Sequence, residues 1–555
     1  MTGLFEEAHG RGLVGVCDMC VGVGYRHIDT GTGQTEATGC VALWTTQQCV
    51  SCVWVSKAFL FLPRRAEVWD SVCIKINMSI APTPQTDAAL KDGHVIVLGA
   101  GASGLAAAVL LARDHGMQVT VYERMDSISQ EDEESYPIGV NPRGMKVLKA
   151  VDPALEQAID ITDYGKVAGW TIREPAKVIA KLPSGTVVGT TRGKVVGELY
   201  KAACATKGVE IKLGHKMVRA DIAGKAIVFS HAGEEHRIDY SASKVLDCTG
   251  CWSKMRTAVA EADPSFGVET WPWEISFRCL FTAPTPPQVN LDPTQHYIFT
   301  TAGIYAAVLT GSRWVFSLSI NAALQGDCDW MLSAKATPEL VERLKQHIQM
   351  HIPQAAGMLD ESEYEKFFER RAFTGQVVRL SQLHHGGSVA FLGDAAHAVI
   401  PSTGEGVNSA LEDVGVLIEA LDSGAEGGSG WLERFSAARI DDARAISEYA
   451  AYLLEGMKAE AGERNRRTAS MVLSLIGQKM RFFGPTWNDK SFGKLAVNCE
   501  RYSTILADWK KQMRKVEPWG NRLIYYFAKD GGRKQIKAAR RAEKMKTAKM
   551  VEAGA

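Results

Sequence analysis

Short apolar runs separated by glycine turns and helical stretches organise the chain from residue 94 onwards. The strand-like run HVIVL at 94–98 is followed by a glycine turn, an alanine-rich helical stretch and a second strand-like run, QVTVY at 118–122. This alternation continues to about residue 255. Apolar runs of this length that alternate with helical segments are typical of a parallel sheet in an α/β domain.

Further along, the pattern changes. Residues 266–320 have the pattern of strands, interrupted by the proline-rich segment APTPPQVNLDPT at 283–294. A helical pattern follows near 336–352, and the chain beyond the glycine-rich loop at 423–430 is helical in pattern. We predict these divisions: an N-terminal extension and linker (1–92), the first part of the α/β domain with substrate-domain insertions (93–265), a mainly β substrate domain (266–380), the second part of the α/β domain (381–460) and a helical C-terminal region with a basic tail (461–555).

The N-terminal 78 residues have no clear periodicity, and a polar, proline-punctuated linker follows them. Met78 is therefore a plausible alternative start. Cys17-x-x-Cys20 and Cys49-x-x-Cys52 have the spacing of zinc ligands, but the gap between the pairs is long and glycine-rich knuckles are missing. We predict a poorly structured extension and no metal site.

Composition narrows the possible functions. The 555 residues include 63 basic and 63 acidic side chains, which argues against a dedicated nucleic-acid binder. No uninterrupted apolar run has the length of a membrane span, and no signal peptide is visible. We therefore predict an intracellular protein, either cytoplasmic or peripheral to an organelle membrane.

The C-terminal tail is strongly basic, with eight Lys or Arg residues and one acid between residues 533 and 549. A solvated helix or a frayed tail accounts for this composition. The alternative is weak peripheral contact with an anionic membrane surface.

The first candidate site is a glycine fingerprint between a strand and a helix. Gly99-x-Gly101-x-x-Gly104 allows a tight turn, close approach of a pyrophosphate to the backbone, and close packing of the helix. Glu123 ends the second strand, where a carboxylate binds a ribose 2′-hydroxyl. A carboxylate at this position favours FAD or NAD over NADP.

The second candidate site is GDAAHAVIPSTGEGVNSALEDVG, which runs from Gly393 to Gly415. A short apolar run ends on Gly393-Asp394, and a proline and two more glycines precede a helix. Such a turn allows close approach of the backbone to a ligand. The N–H groups at the start of the following helix favour a negative charge.

Together, the fingerprint with Glu123 and the distant Gly393-Asp394-Ala395-Ala396-His397 resemble the class A flavoprotein monooxygenases, the FAD-dependent aromatic hydroxylases. The second stretch and VNPRGMKVLKAV at 140–151 most resemble the kynurenine 3-monooxygenase group of that family. The resemblance covers about residues 93–460. It implies a three-layer, Rossmann-like FAD-binding α/β domain with an interleaved β-sheet substrate domain and a helical C-terminal region.

The resemblance also implies a reaction. FAD, reduced by NADPH or NADH, would react with O₂ to give a C4a-hydroperoxyflavin, which hydroxylates or epoxidises a small aromatic or unsaturated substrate. The protein excludes water and orients the substrate, while the flavin supplies the chemistry.

Individual residues receive roles from the same resemblance. Asp394 would accept hydrogen bonds from the ribityl hydroxyls, and Pro401 would wall one side of the flavin ring. The backbone from Gly404 to Asn408 would present N–H groups to the flavin N1–C2=O edge. Arg192 would lie near the FAD phosphates. Arg143 would also contact the cofactor, but helix capping or a salt bridge explains an arginine at this position equally well. The predicted catalytic positions are Pro401 and Gly404, and the predicted cofactor-binding residues are Gly99, Gly101, Ser103, Gly104, Glu123, Arg124, Arg143, Arg192, Gly393, Asp394, Pro401, Gly404, Gly406, Val407 and Asn408.

One family motif is altered. In VLDCTGCWSKMR at 245–256, Thr249 stands where the family has an aspartate associated with FAD and NADPH use. The pattern therefore leads us to expect that Thr249→Asp speeds flavin reduction by NADPH. Nearby, Cys248-x-x-Cys251 is expected to hold free thiols that pack the strand end.

Two further departures leave the substrate open. The acidic run 131–134 lies where relatives often have an arginine near the cofactor. The segment 164–174 lacks the arginine that would pair with a kynurenine carboxylate, although Lys166 and Arg173 are candidate replacements.

Three alternative functions stay open. Trp271, Trp273 and Ile275 match a halogenase motif, whereas Ser276 and Leu105 do not, and two tryptophans at strand spacing also simply pack a sheet. The other two alternatives are an oxygen-independent FAD oxidoreductase and a non-catalytic FAD-binding protein. For His397 the pattern favours a structural role.

Overall fold

The structure is a computed structural model of the whole chain. The residues that it describes are 20–25, 39–45, 48–55, 93–128, 135–160, 166–284, 291–309, 313–424, 430–459 and 499–527.

Strands are numbered in chain order. They are β1 Cys20–Tyr25, β2 Gly39–Thr45, β3 Gln48–Val55, β4 His94–Leu98, β5 Gln118–Tyr122, β6 Pro137–Val140, β7 Lys166–Arg173, β8 Val178–Thr191, β9 Val209–Lys212, β10 Lys216–Asp221, β11 Ala226–His231, β12 Glu234–Asp239, β13 Ser243–Asp247, β14 Val268–Pro272, β15 Ser276–Phe281, β16 Gln295–Phe299, β17 Ile304–Val308, β18 Trp314–Ile320, β19 Gln376–Leu380, β20 His384–His385 and β21 Val389–Phe391.

Helices are numbered in the same way, and short 3₁₀ turns occur at Asp329–Leu332 and Pro401–Thr403. The α-helices are α1 Ala102–His115, α2 Pro142–Val151, α3 Leu155–Ile159, α4 Arg192–Ala205, α5 Lys254–Ala262, α6 Ala322–Gln325, α7 Pro338–His351, α8 Pro353–Ala356, α9 Glu361–Glu369, α10 Asp394–His397, α11 Gly406–Asp422, α12 Trp431–Lys458 and α13 Tyr502–Phe527.

A six-stranded sheet forms the centre of the α/β domain, with the strand order β20-β21-β13-β4-β5-β9. The strands from β21 to β9 run parallel, and β20 pairs antiparallel at one edge. The chain leaves β4 towards β5 and β9 on one side and later returns to β13 and β21 on the other. Ligands of open α/β sheets bind at such a reversal of strand order, at the carboxyl ends of the strands. Here the reversal lies between β4 and β13.

The largest core packs helices against this sheet. Residues 103–112 of α1 are all buried, because its alanines and leucines allow close contact with strand and helix neighbours on every side. The predicted α/β fold class is confirmed: helices α1, α4 and α11 contribute to a single apolar core with β4, β5 and β13.

A second, seven-stranded mixed sheet has the order β15-β18-β17-β16-β7-β8-β6, so strands of residues 137–191 join strands of residues 276–320. One face, with Phe316 and Leu318 of β18, packs against helices α7 to α9. The opposite face contains a smaller apolar cluster that includes Cys279 and Ala307. Because side chains alternate along a strand, the two faces have separate packing partners.

Residues 1–79 form a compact unit separate from residues 80–555. Its described strands form an antiparallel meander in the order β1-β2-β3. The hydrophobic pattern did not predict these strands. The predicted zinc alternative falls on cysteine side chains outside the described residues.

Deletion of residues 1–77 is expected to leave flavin content and the melting temperature of the remaining chain nearly unchanged, because the strand of the glycine fingerprint begins only at His94 and residues 80–555 form a compact unit of their own. Thermal unfolding and flavin absorbance of the full and shortened chains measure this. Loss of soluble protein on deletion would instead show that the first unit supports the second.

Candidate active site

A tight glycine turn leaves β4 where the strand order reverses. Gly99 has φ 96°, and a Cβ there would lie 2.7 Å from the Cys248 carbonyl oxygen at the end of β13. A Cβ on Gly104 would lie 2.1 Å from the Gly99 carbonyl oxygen. Both positions therefore require glycine, because any side chain would meet backbone.

Gly101 lies between them in a different environment. Its backbone is extended, with φ −79° and ψ −178°, and a Cβ there would meet no protein atom within 4 Å. The first helical hydrogen bond of α1 joins the Leu105 N–H to the Gly101 carbonyl at 3.0 Å. The N–H groups of residues 102–104 have no intrahelical acceptor. This helix end therefore has the geometry of an anion-binding site. Because Gly101 has no side chain, a ligand can approach the backbone there.

Glu123 lies beside the same turn. Its Oε2 accepts the Ala100 N–H at 2.8 Å, and its Oε1 accepts the Met125 N–H at 3.0 Å. These bonds fix the carboxylate at the edge of the turn, where the fingerprint requires an acceptor for a ribose hydroxyl. Arg124 is the next residue, and its side chain is exposed.

The second motif contacts the first. Gly393 follows β21 with φ 58°, and a Cβ there would lie 3.0 Å from the Ala410 Cβ and 3.2 Å from the Ser103 Oγ. Ser103 is buried on α1 and Ala410 on α11. Two motifs that are far apart in sequence thus lie side by side, and their helices begin near one another.

Asp394 begins α10 beside Gly393. Its side chain is accessible to solvent from one side, and protein atoms surround the rest of it. The resulting desolvation raises the pKa of Asp394, whereas the charges of His397 and Arg192 lower it. Arg192 begins α4, and its side chain is also exposed. A carboxylate and a guanidinium that influence each other and remain accessible are suited to hydroxyl and phosphate groups of one ligand.

The loop that precedes α11 has a defined turn. Pro401 begins a 3₁₀ turn and is exposed, and Gly404 ends it with φ 68° while its N–H donates to the Pro401 carbonyl at 3.0 Å. This bond corrects one part of the prediction: the Gly404 N–H is already used. Because the Ser409 N–H donates to the Glu405 carbonyl at 2.8 Å, the N–H groups of residues 406–408 lack intrahelical acceptors.

Asn408 has a second function through its side chain. Its Nδ2 donates to the Gly139 carbonyl at 2.9 Å and the Gly404 carbonyl at 3.1 Å, and its Oδ1 accepts the Asn141 N–H at 2.9 Å. The buried amide therefore fastens the glycine loop to β6 and to the start of α2.

A buried ionic cluster holds the Gly393 turn against α11. The Asp413 carboxylate accepts the Gly393 N–H, contacts His397 Nε2 and accepts Arg439 Nε, each at 2.7 Å. Burial alone would raise the pKa of Asp413, but His397 and Arg439 hold it below its usual value. His397 also lies 3.3 Å from the Ser409 hydroxyl. These contacts make His397 part of the buried cluster that holds the Gly393 turn.

Arg143 does not extend to the glycine turns. It is buried, donates to Glu412 Oε1 at 2.6 Å, and lies 4.2 Å from the centre of the Tyr502 ring. The predicted cofactor contact for Arg143 is therefore replaced by the salt-bridge alternative. A buried guanidinium without a negative partner is costly, and here Glu412 provides the negative charge for Arg143.

The altered family motif contains a carboxylate that the pattern did not reveal. Asp247 is fully buried at the end of β13, and its Oδ1 accepts both the Thr249 N–H at 3.0 Å and the Thr249 hydroxyl at 2.6 Å. Ser253 donates to its other oxygen. Desolvation raises the pKa of Asp247, opposed by these donors and by Arg256. The turn thus has an acid two residues before the position where the family has one.

This arrangement adds a cost in stability to Thr249→Asp, whose effect on flavin reduction stays a prediction. The variant loses the hydroxyl that donates to Asp247 and adds a like charge beside it, so we expect a loss of about 1–3 kcal/mol in the free energy of unfolding. The added charge raises the pKa of Asp247 further, and the loss should grow as pH rises through that pKa. Urea unfolding of wild type and Thr249→Asp at several pH values measures it.

Two companion variants control this result. Thr249→Ser retains the donor and should match wild type, and adding Asp247→Asn to Thr249→Asp should restore part of the lost stability. Equal stability of Thr249→Asp and wild type, with faster reduction by NADPH, would support the family-based expectation instead.

The face of the seven-stranded sheet opposite α7–α9 is aromatic and polar. Tyr305 bonds His296 Nδ1 at 2.9 Å, and Trp170 meets the His296 ring edge-on at 5.0 Å. Burial lowers the pKa of His296 to about 4, so the ring is neutral near pH 7. Tyr136 packs with the cluster on this face. Burial raises the Tyr136 pKa, and Arg192 and Asp394 also act on it. This face is therefore close to the Asp394 turn.

Of the two candidate carboxylate partners, the structure describes only the side chain of Arg173, which lies on the other face of the sheet. The Arg173 guanidinium is 5.5 Å from the centre of Phe299, on the face covered by helices, and donates to the Glu174 and Pro175 carbonyls. The Lys166 side chain, the acidic run 131–134 and the basic tail are outside the described residues.

The halogenase-like residues pack a sheet. Trp271 pairs with Val377 across β14 and β19, and Trp273 is buried against Gly375 and Phe277. Cys248 and Cys251 are both free thiols, as expected.

Sequence reasoning missed three acids near the site: Asp247, Glu405 and Asp413. All are buried, and each lies inside or beside a motif that the pattern had identified. An acid within an otherwise apolar or small-residue run could have indicated each of these sites. Such an acid is buried only where hydrogen-bond donors or cations pair with it.

Comparison with known proteins agrees with this geometry. The sequence model of the FAD binding domain family matches residues 92–450. Kynurenine 3-monooxygenase from Drosophila willistoni is 23% identical over 450 residues, covering 79% of this chain and 94% of that protein. The enzyme of the same name from Sus scrofa is 22% identical over 445 residues, covering 78% and 89%.

Solved structures share the fold. The p-nitrophenol 4-monooxygenase from Pseudomonas putida has a TM-score of 0.53 at 16% identity, covering 76% of this chain and 98% of that one. The 2-methyl-3-hydroxypyridine-5-carboxylic acid oxygenase has a TM-score of 0.51 at 20% identity, covering 67% and 94%. No helix in the described part of the chain has the length and apolar character to cross a membrane. From the glycine turns and the family match together, the chain belongs to the FAD binding domain family and, within it, to the FAD-dependent monooxygenases.

Proposed function

We propose that the chain uses NADPH or NADH and O₂ to hydroxylate or epoxidise a small aromatic or unsaturated molecule. The observation that carries the proposal is the meeting of the two glycine turns, where Ser103 of one motif lies against Gly393 of the other. The first turn leads into α1, and the loop that ends at Gly404 leads into α11; the first N–H groups of both helices lack intrahelical acceptors. FAD is an elongated anionic cofactor with two groups that accept hydrogen bonds from such helix ends. Its pyrophosphate would lie at the start of α1, and the N1–C2=O edge of its flavin ring would lie at the start of α11.

The residues fit FAD at both ends. The start of α1, open above Gly101, would hold the pyrophosphate, and Glu123 the adenosine ribose. Asp394 and Arg192 would hold the ribityl and phosphate groups between the motifs. When bound, the flavin supplies the oxygen-transfer chemistry. The chain's part is to hold it, exclude water and orient the substrate.

The loop before α11 has the proposed catalytic positions. Pro401 is exposed on it and would limit access to one side of the flavin ring, and the positive φ of Gly404 turns the chain into α11. The N–H groups of Gly406, Val407 and Asn408 would donate to the flavin N1–C2=O edge. Fixed donors aimed at developing negative charge stabilise it without reorganisation.

We place the substrate against the sheet face formed by Trp170, His296 and Tyr305. Aromatic edges suit a flat ring, and the neutral His296–Tyr305 pair offers hydrogen bonds without charge. Arg173 faces the other side, and Arg278 of β15 donates to the carbonyls of Met331 and Ser333. Neither arginine therefore supports a carboxylate here. Although relatives are named for kynurenine, we propose a substrate whose ring carries neutral polar groups.

The predicted intracellular location and the predicted weak contact of the basic tail with a membrane surface remain proposals. Both rest on sequence composition.

A substrate screen tests the proposed function. The purified flavoprotein is supplied with NADPH or NADH, and O₂ uptake is followed with phenols, aminoaromatics and aromatic acids, including kynurenine. We expect a neutral aromatic to stimulate reductant consumption and yield a hydroxylated product. Stimulation by kynurenine alone would overturn the substrate class. Flavin reduction without O₂ incorporation for any substrate would favour the oxygen-independent alternative.

A further inference from the structure

Glu405 is a buried acid at the start of α11. It is the N-cap of the helix whose first N–H groups lie in the proposed flavin-binding loop, and only 2% of its surface is exposed. Its carboxylate accepts the Asn141 Nδ2 at 3.1 and 3.2 Å and the Tyr502 hydroxyl at 2.7 Å. The acid thereby ties the loop to α2 on one side and to the C-terminal helix α13 on the other.

The hydrogen-bond donors that reach Glu405 are uncharged in the described part of the chain. The nearest cation, Arg143 of α2, is paired with Glu412 of α11, and Arg439 of α12 is paired with Glu412 and Asp413. Burial raises the pKa of Tyr449 of α12, and the charge of Glu405 adds to this. Arg143 and Arg439 are therefore each paired with another acid. A negative charge on Glu405 is stabilised mainly by the hydrogen bonds from Asn141 and Tyr502, which are neutral.

Burial with neutral donors favours the protonated acid. Desolvation raises the pKa of Glu405 to about 7, and Glu412 adds to this, while Tyr502, Arg143 and Asn141 oppose it. A carboxyl group with such a pKa exchanges its proton in the neutral range, where a change in nearby charge alters its occupancy most.

We propose that Glu405 is a positioning residue that takes up a proton from solvent when the flavin at this helix end is reduced. The inference rests on the proposed function. Hydride transfer from NADPH or NADH would supply two electrons and one proton, so a flavin held at this helix end would gain one negative charge on reduction. The proton on Glu405 neutralises the neighbouring carboxylate, so that the helix end has one negative charge rather than two.

The midpoint potential of the bound flavin, measured against pH, tests this inference. For a two-electron couple, each proton taken up adds about 30 mV per pH unit to the slope, because a tenfold change in equilibrium is 29.6 mV. We expect wild type to have a steeper segment in the neutral range than Glu405→Gln, which retains the size and acceptor oxygen of the side chain. Tyr502→Phe removes a donor to the carboxylate and should move the steep segment to higher pH.

Stability of the apoprotein gives a readout that needs no flavin. Because the folded-state pKa of Glu405 lies above its ordinary 4.5, its contribution to stability is full below 4.5 and is lost as pH rises towards 7. Glu405→Gln should lack this loss in urea unfolding.

The outcomes separate the two proposals. A flavoprotein whose potential has the same pH slope in wild type and Glu405→Gln overturns the inference about Glu405 and leaves the proposed function intact. Apoproteins with the same pH dependence of stability overturn it as well. A chain that binds no flavin under any condition overturns the proposed function and this inference with it.

Discussion

Replacing Gly101 by valine is expected to abolish FAD binding while the fold of the apoprotein survives. A side chain at Gly101 meets no protein atom within 4 Å, and its backbone is extended, so valine is tolerated there. The same side chain would occupy the approach of a pyrophosphate to the start of α1. Each charge-assisted hydrogen bond lost costs about 1.5–3 kcal/mol, or roughly ten- to hundredfold in affinity.

Gly104→Val is the matched control. Its Cβ would lie 2.1 Å from the Gly99 carbonyl oxygen, so the clash is with the protein itself. We expect a loss of about 1–3 kcal/mol or more in apoprotein stability, together with loss of flavin. Flavin titration and urea unfolding of both variants separate a blocked ligand from a damaged fold. Normal FAD affinity in Gly101→Val would place the pyrophosphate elsewhere.

Asp413→Asn is expected to lower the free energy of unfolding by about 3–5 kcal/mol, the usual cost of removing one partner of a buried ion pair. The carboxylate serves three donors, from Gly393, His397 and Arg439. An amide has no charge to offset the guanidinium and turns an N–H group towards one of these donors. Because Gly393 precedes Asp394, we also expect weaker FAD binding.

Asp422→Asn controls for the substitution itself. Asp422 ends the same helix, is exposed, and lies 3.7 Å from His115. Its change in stability should stay within about 0.5 kcal/mol. If both variants lost the same stability in urea, the buried cluster around Asp413 would not be what holds the Gly393 turn.

The features that depend on local spacing could be predicted from the sequence. The positions of Gly99, Gly101 and Gly104 between a strand and a helix predict the turn, because strand, turn and helix are adjacent in the chain. The likeness of the Gly393 stretch to a known family then linked it to FAD. Only the fold brings Ser103 against Gly393, since β13 and β21 join the sheet much later.

Features that depend on distant partners could not be predicted. For Arg143 the sequence leaves cofactor contact, helix capping and a salt bridge open, because no spacing indicates that Glu412 and Tyr502 pack over it. From the sequence, Thr249 indicates that the family's acidic charge is missing from this turn. The hydrogen bond from Thr249 to the buried Asp247 depends on the geometry of the strand end, which the sequence does not show. Glu405 lay inside a recognised motif, but its environment depends on Tyr502 of a helix that lies outside the family match.

Identification of the small molecule released by denaturing the purified chain tests the cofactor assignment most directly. The released molecule is separated by chromatography and quantified by absorbance and fluorescence, before and after reconstitution with FAD. Stoichiometric FAD is expected, because the two turns and their helix ends provide for both ends of that cofactor. Stoichiometric NAD, with no flavin retained even after reconstitution, would contradict the assignment of the chain as an FAD-dependent monooxygenase.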